Sequence, residues 1–168
     1  MFQELVREHR DEGILLDTNV LLLLLFSQLR PAMIGKSRLS KYTVADGDLL
    51  VLFVGQFRRI WTTHHVLAET SNLASQMLYS NWKTEFFGSV FPMFCGIDHP
   101  SFLRVAPDYA QIRRPIFVAL GMTDASLVAD SAKKLLLTDD MDVHIAAMTG
   151  GGTSINFTHL REAAGTLQ

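Results

Sequence analysis

Two short apolar runs, each followed closely by aspartate, place the strongest limits on the fold of this chain. The first is Ile14–Leu16, followed by Asp17, and the second is the leucine triplet 135–137, followed by Thr138 and two aspartates. Neither run alternates with polar residues, so we expect both to be strands buried on both faces. Strands of this kind occur in parallel sheets that helices cover on each side.

Helical patterns alternate with these strands. A polar, helical leader ends at Gly13, and residues 20–29 are apolar nearly all round, which predicts a buried helix that Pro31 ends. We predict further helices at 49–59 (capped by residues 46–48), 65–78, from 121 to about 134, and 141–149, and further strands at 60–63 and 154–157. The pattern predicts an α/β fold, a three-layer α/β/α sandwich with a short parallel sheet, in a single domain spanning residues 1–168.

Two segments are less regular. Residues 32–46 are rich in glycine, serine and basic residues, which predicts an exposed loop. Residues 81–120 are aromatic-rich and interrupted by four prolines, which favours two or three helices with irregular joints.

Composition limits the setting of the protein. The net charge of −2 provides no overall basic field, so a nucleic-acid partner would need local basic groups and bound metal. The single cysteine, Cys95, cannot form an intrachain disulfide, and the first 13 residues do not resemble a signal peptide, so we expect a cytoplasmic protein. The most apolar run, residues 20–26, is far shorter than the roughly 20 residues of a membrane span, and no membrane partner is expected.

Four acidic residues are predicted to meet at one edge of the sheet. Asp17 and Asp140 follow strands, Glu69 lies in the helix after the strand at 60–63, and Asp124 lies at a helix start. The crevice of an open parallel sheet lies beyond the carboxyl ends of its strands, so we expect these carboxylates to lie close together there. They would then repel one another unless a cation neutralised them. Oxygen ligands without histidine or cysteine favour Mg²⁺ or Mn²⁺ over Zn²⁺.

Each of these acids also has a simpler explanation. Asp17 would cap the following helix, Glu69 would be an ordinary solvated residue, and Asp124 would interact with a helix dipole. Asp139 and Asp140 leave their strand in different directions, so the pattern does not decide whether Asp139, Asp140 or Asp142 is the main acid there. The adjacent residues His64 and His65 diverge and have no third histidine at ligand spacing, which argues against zinc.

Four motifs in this order resemble those of the PIN domain, over about residues 14–160. They are Asp17-Thr18-Asn19 after a buried strand, Thr63 followed by Val66-Leu67-Ala68-Glu69, Thr123-Asp124-Ala125, and Leu137-Thr138-Asp139-Asp140-Met141-Asp142. The resemblance implies an Mg²⁺- or Mn²⁺-dependent endoribonuclease, including the VapC-like toxin type of toxin–antitoxin pairs. The segments 32–46 and 81–120 make the chain longer than a minimal toxin of that type.

The resemblance also implies roles for individual residues. Asp17, Glu69, Asp124 and Asp140 would be the catalytic, metal-binding set, with Asp142 as an additional acid. Asn19 and Thr138 would hold the metal-binding carboxylates or the water in place. The implied partners are an RNA substrate and, for a toxin, an antitoxin protein; the sequence leaves a homodimer open.

Two other functional classes share part of this pattern, and several basic residues are candidates for substrate contact. A phosphatase of the haloacid dehalogenase kind needs a second acid two residues after Asp17, where this chain has Asn19. A non-catalytic module that binds RNA or protein on a PIN scaffold is the alternative from another class. The basic candidates for substrate contact are Lys36, Arg38, Lys41, Arg58-Arg59 and Arg113-Arg114, none of which the sequence alone assigns to a site.

Overall fold

The computed structural model describes residues 2–92, 102–105 and 115–166. Cys95 and Arg113-Arg114 lie outside the described residues. The strands are β1 (Ile14–Leu16), β2 (Ile60–Thr63), β3 (Phe102–Val105), β4 (Leu135–Thr138) and β5 (Thr153–Asn156). The helices are α1 (Phe2–His9), α2 (Thr18–Leu29), α3 (Val44–Val54), α4 (His64–Met77), α5 (Ser80–Glu85), α6 (Pro115–Asp130), α7 (Met141–Thr149) and α8 (Phe157–Ala164).

The sheet is parallel, with the strand order β3-β2-β1-β4-β5. From β1 the chain moves outward through β2 to β3, and it then returns to the other side of β1 for β4 and β5. Because parallel crossovers are right-handed, these opposite directions place their helices on opposite faces of the sheet. α2 packs against α3 and α4, and α6 packs against α7, so the predicted α/β/α sandwich is confirmed.

The core forms where the apolar runs predict it. β1 and the leucines of β4 are fully buried, and they pair in register from Ile14 opposite Leu135. Leucines 21–23 of α2 are also fully buried. Gly13 turns the chain into β1 with φ +100°, and a Cβ there would lie 2.4 Å from the carbonyl oxygen of Arg59. None of the helices in the described parts of the chain is both long and apolar enough to span a membrane.

Several predicted boundaries are wrong. α3 begins at Val44 rather than Leu49, because Thr43 is the N-cap and Asp46 completes a reciprocal capping box inside the first turn. The strand β3 falls where we expected only helices, β5 ends one residue earlier than predicted, and the sequence analysis did not predict α8. α6 begins at Pro115 and is kinked at Gly121, which has φ +83°.

The segment 32–46 differs most from its prediction as an exposed loop. It contains two short 3₁₀ turns, Pro31–Met33 and Ser37–Leu39, and it buries Leu39, Tyr42 and Asp46. Two of its residues, Lys41 and Tyr42, contact Asp139 at the carboxyl edge of the sheet.

Candidate functional site

The carboxyl ends of β1 and β4 form a crevice between neighbouring strands. After β1 the chain enters α2 on one face, whereas after β4 it enters α7 on the other face. A crevice of this kind, where neighbouring connections leave in opposite directions, is the usual ligand site of an open parallel sheet. Asp17 follows β1 here, and Asp139 and Asp140 follow β4.

Asp17 is a buried carboxylate with donors on both oxygens. Asp17 is the N-cap residue of α2, and its Oδ1 accepts a hydrogen bond from the backbone N–H of Val20 at 2.7 Å. Oδ2 accepts from the Thr138 hydroxyl and from the Asp139 backbone N–H, the latter at 2.9 Å. Burial raises the pKa of Asp17 to about 6, although these hydrogen bonds act in the opposite direction.

Thr138 and Asp140 extend this arrangement from β4 into α7. The Thr138 hydroxyl donates to Asp17 and accepts from the Asp140 N–H at 3.0 Å. Oδ1 of Asp140 caps α7 by accepting from the N–H groups of Asp142 and Val143. Thr138 therefore has the contact that a supporting role for Asp17 requires.

Glu69 is joined to the crevice through Thr18. The Thr18 hydroxyl donates to Oε2 of Glu69 at 3.0 Å, which links α4 to the first residue of α2. Thr18 is itself buried and next to Asp17. From the sequence, Thr18 enters only as part of the motif Asp17-Thr18-Asn19, although its position beside Asp17 made it a candidate for this contact.

Asp124 brings the fourth carboxylate into the same region. It lies three residues beyond the kink of α6 and is half-buried. Burial and, to a smaller extent, the negative charges of Asp140, Asp17 and Glu69 together raise its pKa to about 6. The three other predicted acids are therefore close enough to act electrostatically on Asp124.

Two predicted site residues make fewer contacts with this cluster. Asp142 is exposed in the first turn of α7, where its backbone N–H contacts Asp140. Within the described part of the chain the side chain of Asn19 makes no hydrogen bond to the carboxylates.

Asp139 has a different environment from Asp140. Its side chain is only 2% exposed, and Oδ2 contacts both the ammonium of Lys41 at 2.5 Å and the hydroxyl of Tyr42 at 2.6 Å. Oδ1 accepts from the Thr158 hydroxyl at 2.9 Å. Burial and the charge of Asp139 raise the pKa of Tyr42, which keeps this phenol protonated as a donor. Of the two aspartates, Asp139 thus has the buried side chain, whereas Asp140 is exposed.

Tyr42 and Thr158 were missed by the sequence analysis. They lie 97 and 19 residues from Asp139 along the chain, and neither belongs to a motif with the aspartates. No local signal indicated either contact.

The crevice carries negative charge without a cationic partner among the described residues, and its geometry for binding a metal ion is incomplete. The ion pairs among the described residues involve Asp139, Asp11 and Asp46, and none neutralises Asp17, Glu69, Asp124 or Asp140. However, no three histidine, cysteine or acidic side chains within residues 2–92, 102–105 and 115–166 are arranged to hold one ion. Asp17 and Asp140 each direct an oxygen to a helix cap.

Comparison of this chain with family models, curated proteins and solved structures finds no match.

The basic candidates separate by their position on the sheet. Arg58 and Arg59 precede β2, so they lie at the amino edge, opposite the crevice, where Arg58 pairs with Asp11. Lys36, Arg38 and Lys41 are exposed residues of the segment 32–46. Of these three, Lys41 makes direct contact with the crevice wall through Asp139.

Proposed function

We propose that this protein is a metal-dependent endoribonuclease that hydrolyses RNA phosphodiester bonds at the crevice between β1 and β4. The supporting observation is the raised pKa of Asp124, which results from burial and from the charges of Asp140, Asp17 and Glu69. Carboxylates that repel one another without a cationic partner are unfavourable unless a bound cation offsets their charge. The choice of RNA as substrate is supported by the resemblance of the four motifs to the PIN domain.

Asp17, Glu69, Asp124 and Asp140 would hold Mg²⁺ or Mn²⁺, with Asp142 as an additional acid beside Asp140. A divalent ion supplies positive charge to a phosphodiester and lowers the pKa of a bound water. The protein contributes orientation: Thr138 and the Asp139 N–H direct the carboxylate of Asp17, and Thr18 directs Glu69. Fixed side chains of this kind reduce the reorganisation needed when the substrate reacts.

The substitution Asp124→Asn tests this proposal, because it removes one negative charge while keeping the shape of the side chain. We expect the variant to remain folded and to lose cleavage of single-stranded RNA in Mn²⁺, measured by gel electrophoresis of labelled products. Asp11→Asn is the matched control, since Asp11 is exposed and pairs with Arg58 at the opposite edge of the sheet. Cleavage by Asp124→Asn at the wild-type rate would show that the site is wrongly assigned.

A non-catalytic module that binds RNA or protein is the second candidate. It is favoured by the incomplete ligand geometry among the described side chains. The two proposals differ in whether a divalent ion stabilises the folded protein, which thermal unfolding with and without Mn²⁺ measures. A toxin role, with an antitoxin partner, stays a prediction from the motifs.

A further inference from the structure

The segment 32–46 contacts the crevice through two consecutive residues. Lys41 and Tyr42 both approach Oδ2 of Asp139, at 2.5 and 2.6 Å. The backbone N–H of the same Asp139 donates to Asp17. A segment that the sequence predicted as an exposed loop therefore forms part of the wall beside the proposed metal-binding carboxylates.

The backbone of Lys41 is held in place by a buried ion pair. Arg161 donates to both carboxylate oxygens of Asp46, at 2.8 and 2.9 Å, and also to the carbonyl oxygen of Lys41 at 3.2 Å. The Arg161 and Asp46 side chains are 6% and 0% exposed. Lys41 thus projects from a fixed backbone rather than from a free loop.

The ammonium of Lys41 remains accessible. The side chain is 52% exposed, and its ammonium lies 5.3 Å from the centre of the Tyr42 ring. An ammonium has three donors, and the contact with Asp139 uses one of them. Two donors of the ammonium are left at the carboxyl edge of the sheet, although its charge is partly offset by Asp139.

The proposed substrate needs such a group. A phosphate chain approaching four carboxylates is repelled, and a protein with net charge −2 offers no general attraction. Arg58 and Arg59 lie at the opposite edge of the sheet. Lys41 combines exposure with a fixed position at the crevice, unlike Lys36 and Arg38, for which the structure shows no contact with the crevice wall.

We propose that Lys41 is a substrate-binding residue that contacts a phosphate of the RNA strand, and that Asp139 is the positioning residue that holds its ammonium at the rim of the crevice. This inference rests on the proposed function, because that function supplies the ligand. Asp139 would not touch the substrate itself, because its side chain is only 2% exposed and both of its oxygens face donors within the protein.

Binding of labelled single-stranded RNA in an Asp124→Asn background, where cleavage is prevented, tests this role directly. We expect Lys41→Gln to raise the Kd about threefold to tenfold and to reduce the slope of log Kd against log salt by about 0.7, as loss of one phosphate contact requires. Lys41→Arg should retain both values. Lys36→Gln is the matched control and should leave them unchanged, and a Lys41→Gln variant that behaves like this control would overturn the inference.

The positioning role of Asp139 is tested by a double-mutant cycle on the same binding assay. Asp139→Asn should reduce the salt slope as Lys41→Gln does, and the double variant should bind no more weakly than Lys41→Gln alone. Additive losses would contradict a role exerted through Lys41. If Asp139→Asn does not fold, Tyr42→Phe removes only one donor to Asp139 and should shift the Kd in the same direction.

Cleavage kinetics separate this inference from the proposed function. In the otherwise wild-type protein, Lys41→Gln should raise the KM with little change in kcat. RNA cleavage with no effect of Lys41 on the KM or the salt slope would refute the inference alone. Lys41-dependent RNA binding without Mn²⁺-dependent cleavage would refute the nuclease and leave the inference standing, and absence of RNA binding by the wild type would refute both.

Discussion

At the scale of single residues, the carboxylate of Asp17 both caps α2 and lies in the crevice. The cap explanation and the site explanation, which appear as alternatives in the sequence, are compatible because the two oxygens have different donors. This arrangement is unfavourable for the charged form at neutral pH, since Asp17 is only 4% exposed and its pKa is about 6. One pKa unit corresponds to ~1.4 kcal/mol, so the charged carboxylates reduce the stability of the metal-free protein.

The stability of the Asp124→Asn variant should depend on pH in a defined way. The pKa of Asp124 is raised from 3.8 to about 6 in the folded state, so its charge destabilises that state above pH 6 and does not do so at acidic pH. We expect metal-free Asp124→Asn to be more stable than the wild type at pH 7.5, with a difference that shrinks as the pH falls through 6 to 5. Urea unfolding in EDTA measures this difference.

Comparing the variant with the wild type removes the effect of His144. The pKa of His144 is lowered by burial and by the charge of His159. That shift favours the folded state at higher pH, which is the opposite trend. A stability difference that stays constant from pH 7.5 to 5 would mean that the charge of Asp124 does not destabilise the folded protein.

At the scale of elements, a buried ion pair joins α3 to α8. Asp46 in the first turn of α3 accepts two hydrogen bonds from Arg161 of α8, and neither side chain is more than 6% exposed. Although burial alone would raise the pKa of Asp46, hydrogen bonds from Arg161 and from Thr43 hold it below the usual value. The pair also fixes the Lys41 carbonyl, so it links the packing of two helices to the crevice.

Removing Arg161 should therefore be costly. Arg161→Ala leaves Asp46 buried without its cation, and we expect a loss of about 3–5 kcal/mol in the free energy of unfolding. Arg58→Ala is the matched control: Arg58 and Asp11 are 71% and 73% exposed, and such surface pairs contribute about 0–1 kcal/mol. Equal losses in chemical denaturation would show that burial does not set the strength of the α3–α8 pair.

At the scale of the whole molecule, strand order determines which loops meet. β1 lies between β2 and β4, so residues following β1 and β4 share one crevice despite being about 120 positions apart. α4 and α6, both of which also contact β2, bring Glu69 and Asp124 toward the same edge. The proposed metal would then link four separate elements in the folded state only.

Mn²⁺ or Mg²⁺ should raise the unfolding temperature of the wild-type protein. A ligand that binds only the folded state adds about 2.7 kcal/mol at a concentration one hundred times its Kd. Differential scanning fluorimetry with increasing Mn²⁺, reversed by EDTA, measures the shift, and Asp124→Asn should show a much smaller one. A wild-type protein whose unfolding temperature ignores both ions would favour the non-catalytic module.

The positions of the crevice acids could be predicted because their signals are local. Apolar runs without alternation identify β1 and β4, and the residue that follows each strand is read directly from the chain. Residues 102–105 gave no such signal within the proline-interrupted middle of the chain. The start of α3 was misplaced because acids at residues 46 and 48 can stand before a helix or in its first turn, and the hydroxyl of Thr43 decides between these.

The sequence by itself determined the α/β class, the burial of α2 and the placement of Asp17 and Asp140 at strand ends, because each depends on periodicity over a few residues. Only the tertiary structure decided that Asp139 faces Lys41, Tyr42 and Thr158 while Asp140 caps α7. It also decided the pairing of Asp46 with Arg161, 115 residues away. Such contacts depend on which segments pack together. A short stretch of sequence contains no pattern that identifies a partner so far away along the chain.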